Sequence, residues 1–173
     1  MNNKIITAYE QSIHKPEYIH WYEIEREIVK QLDSPFNLDQ TLALLVIMNI
    51  NASYVGAVTQ LKKFISTGIF QGFKMKQIKI NSILKGDDIT STLKGKKSVN
   101  FFNNLKAPKD KKYCTIDRHM AEISGWSDNR NYKVPTSKQY ELVKNEFIEC
   151  ANFVNMIPSQ FQSLLWCNKI NSK

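Results

Sequence analysis

The sequence predicts an all-α protein, and three observations indicate this fold class. Apolar residues recur at intervals of three and four positions along most of the chain, which is typical of helices that bury one face. Glycine, proline and short polar capping residues separate these segments. No alternating apolar and polar pattern, which would indicate a strand, continues for more than a few residues. We therefore expect about eight helices in two closely packed lobes, forming a single domain over residues 1–173.

The first predicted helix covers residues 16–32. Pro16 suits its first turn, because proline has no N–H group to leave unpaired there. Trp21, Ile24 and Ile28 recur at helical spacing and are expected to form its buried face.

The second and third predicted helices form the centre of the protein. Asn37 can cap a helix over residues 38–50, which is apolar nearly all round and is therefore expected to be buried on every side. A further helix over residues 53–67 ends at Gly68.

A helix over residues 74–85 follows. Its pattern predicts that Met75 and Ile78 face the core, while Lys76 and Lys79 face solvent.

The second half of the chain has clear start and stop signals. Asp87 or Asp88 can cap a short helix, Thr136 can cap a long one after a polar loop over residues 127–135, and Pro158 can begin the last. The predicted helices cover residues 88–93, 96–105, 117–125, 137–155 and 158–170.

The charge of the chain favours a polyanionic partner. Lysine and arginine outnumber aspartate and glutamate by 24 to 16, giving a net charge of +8, and the hydrophobic fraction of 42% is high enough for a folded core. Together with the motifs below, this charge predicts DNA as the partner of a monomeric protein.

Neither a membrane segment nor a cofactor is expected. The longest apolar stretch, residues 42–50, is shorter than the roughly 20 residues that cross a bilayer, and the N-terminus has no signal-peptide pattern, which predicts a cytoplasmic protein. Cys114, Cys150 and Cys167 have no metal-binding spacing, so we expect buried free thiols and no metal.

A basic turn around Gly95 is the first candidate site. A glycine between two helices permits a positive φ, and the N–H groups that open the next helix can bind an anion. Lys94, Lys96, Lys97 and Ser98 surround that position, which predicts contacts to DNA phosphates. The alternative is an ordinary turn between helices with solvated lysines.

A single carboxylate, Asp117, follows about twenty residues later at the start of a predicted helix. Arg118 and His119 are next to it, and they are candidates for a DNA contact and for a second catalytic group. The alternative is that Asp117 only caps its helix, which aspartate often does.

These two segments carry a resemblance to a known family. Residues 93–97 read L-K-G-K-K, and after a helix residues 115–119 read T-I-D-R-H. This layout resembles the helix-hairpin-helix DNA glycosylase superfamily, whose pattern is L-P-G-[VI]-G, a helix, and V-D-[TR]-H. Lys94 replaces the usual proline and Lys97 the second glycine. The resemblance implies a glycosylase-like fold in which Asp117 stabilises positive charge on the deoxyribose or activates the nucleophile.

The resemblance also constrains the reaction. Val99 stands where lyase-type members carry a catalytic lysine, which implies a monofunctional enzyme that flips a damaged or modified base and hydrolyses its N-glycosidic bond. The chain is most similar to small phage-encoded members, the glutamyl/putrescinyl-thymine pyrophosphorylase-like group. There an amine is thought to replace an activated group on a hypermodified thymine. A DNA-binding module without catalysis is the third reading.

The expected base pocket comes from two other segments. In the family, the junction of the early helices faces the pocket, which assigns Asn51, Ser53 and Tyr54 to the flipped base, although a polar cap is an equal alternative. Gln160 lies in a stretch similar to the C-terminus of the phage relatives and is expected to reach the site. Trp166 is assigned to the core.

Overall fold

A computed structural model describes residues 1–127 and 135–171, and in these ranges the protein contains ten α-helices and one short 3-10 helix but no β-strand. The all-α class is therefore confirmed, while residues 128–134 of the expected polar loop lie outside the described residues. The α-helices are α1 (Asn3–Ser12), α2 (Trp21–Lys30), α3 (Leu38–Asn49), α4 (Tyr54–Thr67), α5 (Lys74–Lys85), α6 (Ile89–Leu93), α7 (Lys96–Lys106), α8 (Arg118–Ile123), α9 (Ser137–Phe153) and α10 (Pro158–Asn171).

Side-chain caps set most of the helix boundaries that the sequence predicts. Asn37 and Thr136 each form a capping box with a glutamine three residues later, at the start of α3 and of α9. Asp88 caps α6 by accepting a hydrogen bond from the Ser91 N–H at 2.7 Å. Gly68 ends α4 with φ of 69°, a left-handed conformation that glycine adopts without strain.

The first hydrophobic core surrounds α3. Eight consecutive residues of this helix, from position 41 to position 48, are buried, so every side of it packs against protein. Helices α2, α4, α5, α6 and α7 contribute the other buried side chains of this core. The prediction of a central helix is confirmed.

The second core joins the two ends of the chain. It combines α1 with α8, α9 and α10, and Ile5 of α1 is fully buried in it. The Asn2 side chain accepts the Lys4 N–H to cap α1, and its Nδ2 donates to Glu146 Oε2 at 2.8 Å. The sequence analysis did not predict α1, because its residues are mostly polar and few of them are buried.

Two predictions about the first helix are wrong. The segment is broken into a 3-10 helix (Pro16–Tyr18) and α2, and Ile24 and Ile28 are 50% and 40% exposed. Tyr22 and Val29 are the buried residues instead. Helix α2 lies between α7, α10 and α3, so residues outside the expected stripe contact neighbouring helices.

The predicted orientation of α5 is also wrong. Lys76 is buried, and its Nζ donates to the Met48 carbonyl oxygen at 2.9 Å, while Lys79 Nζ donates to the Leu93 carbonyl oxygen at 2.8 Å. These carbonyls belong to the C-terminal turns of α3 and α6. Carbonyl groups in the last turn of a helix have no N–H partner within that helix, and the C-terminus of a helix favours a cation. Burial lowers the pKa of both lysines. As a result, Met75 and Ile78 are 65% and 48% exposed.

Candidate functional site

A cleft of about 1170 Å³ lies where residues of the two cores meet. Its walls come from α2, the α3–α4 turn, the start of α7, the segment entering α8, and α10. Three segments that the sequence analysis selected separately therefore line the same cavity: the α3–α4 turn, the turn at Gly95 and the segment around Asp117.

Asp117 has its carboxylate fixed by two hydrogen bonds. It is the N-cap of α8, where Oδ1 accepts the Met120 N–H at 3.0 Å, and Oδ2 accepts the Trp166 Nε1–H at 2.8 Å. Asp117 is half-buried and lines the cleft. Asp117 therefore caps its helix, as the alternative predicts, and it also lines the cavity. Each oxygen keeps acceptor capacity beyond the one bond it receives.

Aromatic side chains form much of the cleft wall. The Trp21 ring lies 4.9 Å from that of Tyr54, 5.0 Å from that of Tyr22 and 5.3 Å from that of Trp166, measured between centroids. Phe101 lies 6.2 Å from Tyr22 and completes the group. Such faces can stack on a planar ring. Trp166, expected in the core, packs against the second core and also lines the cleft next to Asp117.

Hydrogen bonds to a buried glutamine and a half-buried glutamate hold two of these rings in place. The Tyr22 hydroxyl donates to Gln162 Oε1 at 2.6 Å, and the Tyr54 hydroxyl donates to Glu25 Oε2 at 2.7 Å. Burial raises the pKa of both tyrosines, and for Tyr54 the bond to Glu25 adds to the effect. Burial also raises the pKa of Glu25. Both phenols therefore stay protonated and act as fixed hydrogen-bond donors.

The α3–α4 turn presents polar groups at the mouth of the cleft. Asn51, Ser53 and Tyr54 all line the cavity, as the sequence analysis expected. Asn51 has φ of 54°, which asparagine tolerates better than most residues. Ser53 also caps α4 by accepting the Gly56 N–H at 3.1 Å, so the polar-cap alternative applies to this residue as well.

The turn before α7 differs from its prediction. Gly95 has φ of −72°, and the positive φ of 59° belongs to Lys94. The Gly95 N–H donates to the Leu93 carbonyl oxygen at 2.7 Å, which closes a γ-turn of the rare, strained kind. The reason is that Gly95 is in the extended conformation of an N-cap, so the chain reverses one residue earlier. Gly95, Lys96 and Lys97 line the cleft, whereas Lys94 and Ser98 do not.

The basic residues of this turn differ in their availability. Lys96 Nζ lies 2.7 Å from Glu141 Oε1, and Glu141 also pairs with Lys144 at 2.7 Å. The hydrogen bonds from these two lysines hold the pKa of Glu141 below its usual value, and Lys144 has the larger effect. Lys97 is exposed and forms no ion pair with any described residue. Arg118 is exposed, with its Nε 3.9 Å from Glu122 Oε1.

Two remaining candidates occupy different surroundings. His119 is half-buried and lines the cleft beside Asp117. Gln160 does not line it, because its Nε2 donates to Glu23 Oε1 at 2.9 Å. Gln162, two positions later and therefore on another face of α10, is the glutamine of the cavity. No signal in the sequence selects Gln162, because its place in the cavity follows from the packing of α10 against α2.

Metal and membrane features are absent from the part of the chain that the structure describes. No group of three or more His, Cys, Asp or Glu side chains there could hold a metal ion, and Cys114, Cys150 and Cys167 are buried free thiols, as predicted. Within the same residues, every helix is too short or too polar to cross a bilayer.

The molecule is thus an all-α protein whose aromatic-walled cleft holds one oriented carboxylate beside a basic turn. Over residues 1–173 the chain belongs to the family described as a family of unknown function (DUF7178). No curated protein and no solved structure matches it.

Proposed function

We propose that this protein is a DNA base-acting enzyme of the helix-hairpin-helix glycosylase type, which takes a flipped base into the cleft and cleaves its N-glycosidic bond. One observation carries the proposal: the segments predicted for phosphate binding, base recognition and catalysis line one cavity, although they are far apart in sequence.

The basic turn would bind the DNA backbone. The first N–H groups of α7 and the exposed ammonium of Lys97 lie at the cleft wall, where a phosphate can accept from both. Lys96 can join them when a phosphate replaces Glu141 as its partner. These contacts carry no sequence information and set the position of the strand.

The aromatic group would receive the base. An extruded base is planar and apolar on its faces, so it gains from stacking on rings such as Trp21 and Trp166. Polar groups of the cleft, including the exposed Asn51 side chain and the buried Gln162 side chain, can form hydrogen bonds to its edge.

Asp117 would then act on the sugar. As the C1′–N bond breaks, its electron pair leaves with the base and C1′ becomes positive, which an adjacent fixed carboxylate stabilises. Water bonds to C1′ and one of its protons passes to the departing base, giving the free base and an abasic site. Val99 is packed against the first core and does not line the cleft, which agrees with a monofunctional reaction.

Substitution on the base by an amine is a second candidate, favoured by a specific feature of the cleft. Aromatic faces beside a carboxylate attract an organic ammonium group through cation–π and ionic contacts. In this reaction an amine would displace an activated group on a modified thymine, and the N-glycosidic bond would remain intact.

Mass spectrometry of DNA digested to nucleosides separates these reactions. The protein would be incubated with DNA that carries ordinary, damaged and hypermodified pyrimidines, in parallel with the Asp117→Asn variant. Released base that depends on Asp117 supports hydrolysis, and a mass-shifted nucleoside supports substitution. DNA binding with no change in any nucleoside would overturn both and leave a non-catalytic binding module.

A further inference from the structure

The surface around α5 is basic and apolar at once. Residues 40–86 contain six lysines and no aspartate or glutamate. Phe73, Met75 and Ile78 in this segment are 75%, 65% and 48% exposed, and we refer to these three side chains as the apolar shelf. Met75 and Ile78 are three positions apart on α5 and therefore share a face.

The apolar shelf exists because α5 buries its lysines. Lys76 and Lys79 point inward to the carbonyl oxygens of Met48 and Leu93, and this orientation turns the apolar residues of the helix outward. A helix with the opposite orientation would bury Met75 and Ile78, as the sequence pattern alone predicts.

Helix α5, which carries the apolar shelf, contacts the end of α3 that leads to the cleft. Met48, which the Lys76 side chain reaches, is followed directly by Asn49, and Asn49 lines the cavity. The first turn of α5 is thus within one side chain's reach of the last turn of α3. Val55, which lines the cavity at the start of α4, is 76% exposed and offers a further apolar side chain.

The chemistry of this surface fits an unpaired polynucleotide strand. Lys74 and the other exposed lysines of this acid-free stretch of sequence, Lys62, Lys63 and Lys85, attract phosphates. Contact between aromatic or aliphatic side chains and the faces of bases contributes favourable binding free energy. Those faces are accessible in a single strand and are hidden by stacking in a duplex. A duplex would instead place its charged backbone over the apolar side chains. A second copy of this chain would bring like charges together.

We propose that the apolar shelf binds unpaired bases next to the one that enters the cleft, so that the protein prefers single-stranded to duplex DNA. This inference rests on the proposed function, since it names the form of the DNA substrate. The strand runs from the cleft mouth past Val55 onto α5, with its phosphates toward Lys74.

Fluorescence anisotropy with labelled oligothymidine, alone and annealed to its complement, tests the preference. We expect tighter binding of the single strand, and Phe73→Ser should weaken that binding about tenfold while leaving duplex binding unchanged. Phe73 is the N-cap of α5 and has no capping hydrogen bond, so serine there can add one and the variant should fold.

Phe153→Ser is the matched control, because Phe153 is 66% exposed at the end of α9 and does not line the cleft. Equal binding of both DNA forms, or equal effects of the two serine variants, would overturn the inference.

The Asp117→Asn variant separates this result from the reaction itself. If it and the native protein both bind single strands through Phe73 but no nucleoside changes, the proposed function fails and the inference stands. If the base reaction proceeds equally fast on single-stranded and duplex DNA and does not change in Phe73→Ser, the proposed function stands and the inference about the apolar shelf fails.

Discussion

The indole N–H of Trp166 donates a hydrogen bond to Oδ2 of Asp117 over 2.8 Å. This bond joins α10 to the N-terminus of α8 at the wall of the cleft, since the other oxygen of the same carboxylate caps α8. Tryptophan N–H groups usually find an acceptor when they are buried, and here the acceptor is the candidate catalytic group. The ring of Trp166 therefore both lines the cavity and orients the carboxylate.

Replacing Asp117 by asparagine should separate folding from chemistry. Asparagine caps helices as well as aspartate does, but its single oxygen can serve only one of the two N–H donors. We expect the free energy of unfolding to fall by on the order of 1–3 kcal/mol in urea titrations. Base release or substitution should fall at least about a hundredfold, because the charge that stabilises the transition state is lost.

Asp88→Asn is the control for this variant. It makes the same change at another helix N-cap outside the cleft, so the reaction rate should stay at the native value. Similar rates for the two variants would remove Asp117 from the mechanism.

Trp166→Phe tests the orienting bond without removing the carboxylate. Phenylalanine keeps an aromatic face but has no N–H, so Asp117 loses one of its two donors. A hydrogen bond to a charged group is worth about 1.5–3 kcal/mol, which predicts a loss of turnover of roughly tenfold to a hundredfold. Trp126→Phe, in a half-buried position of the second core, should leave single-turnover rates unchanged. A native rate in Trp166→Phe would contradict an orienting role.

Glu141→Gln should strengthen DNA binding. The change frees Lys96 from its ion pair, so one more cation can contact a phosphate. We expect affinity to rise severalfold at low salt, and the slope of log affinity against log salt to steepen by roughly one unit. Glu149→Gln, on the same helix but paired with the N-terminus, should change the salt slope less. Identical slopes in the two variants would mean that Lys96 does not reach the DNA.

Lys76 makes stability depend on pH in a defined direction. Because burial places its folded pKa below the usual 10.5, the unfolded chain holds more protons between these two values. Stability of the native protein should therefore rise relative to the Lys76→Met variant as pH approaches 10.5, by about 1.4 kcal/mol for each unit of pKa lowering. Denaturant titrations of both proteins across this range measure the difference. A constant difference would show that the Lys76 ammonium is not desolvated.

The sequence predicted where helices begin and end better than which face each one buries. Boundaries depend on local groups such as the Asn37 and Thr136 side chains, and these caps are readable from a few residues. The buried face depends on neighbours that are distant in sequence. For α5 the decisive contacts are carbonyl oxygens of Met48 and Leu93, so two lysines face inward against the apolar pattern.

The same distinction applies to the cleft. Asp117 and Gly95 carry signals in their own short segments, and the structure brings both to the cavity. The aromatic wall could not be predicted, because Trp21, Phe101 and Trp166 come from three helices and each has an ordinary core-like spacing. Only the packing of α2, α7 and α10 makes them neighbours.

Helix α5 is hydrogen-bonded to the C-terminal turn of α3 through Lys76 and to the C-terminal turn of α6 through Lys79. These two helices lead into the α3–α4 turn and into the turn before α7. A displacement of α5 therefore moves the ends of both helices with it or breaks one of the two hydrogen bonds. A ligand on the outer surface of α5 that prefers one position of this helix would shift both helix ends with it, and a ligand held by those ends would shift α5 in turn.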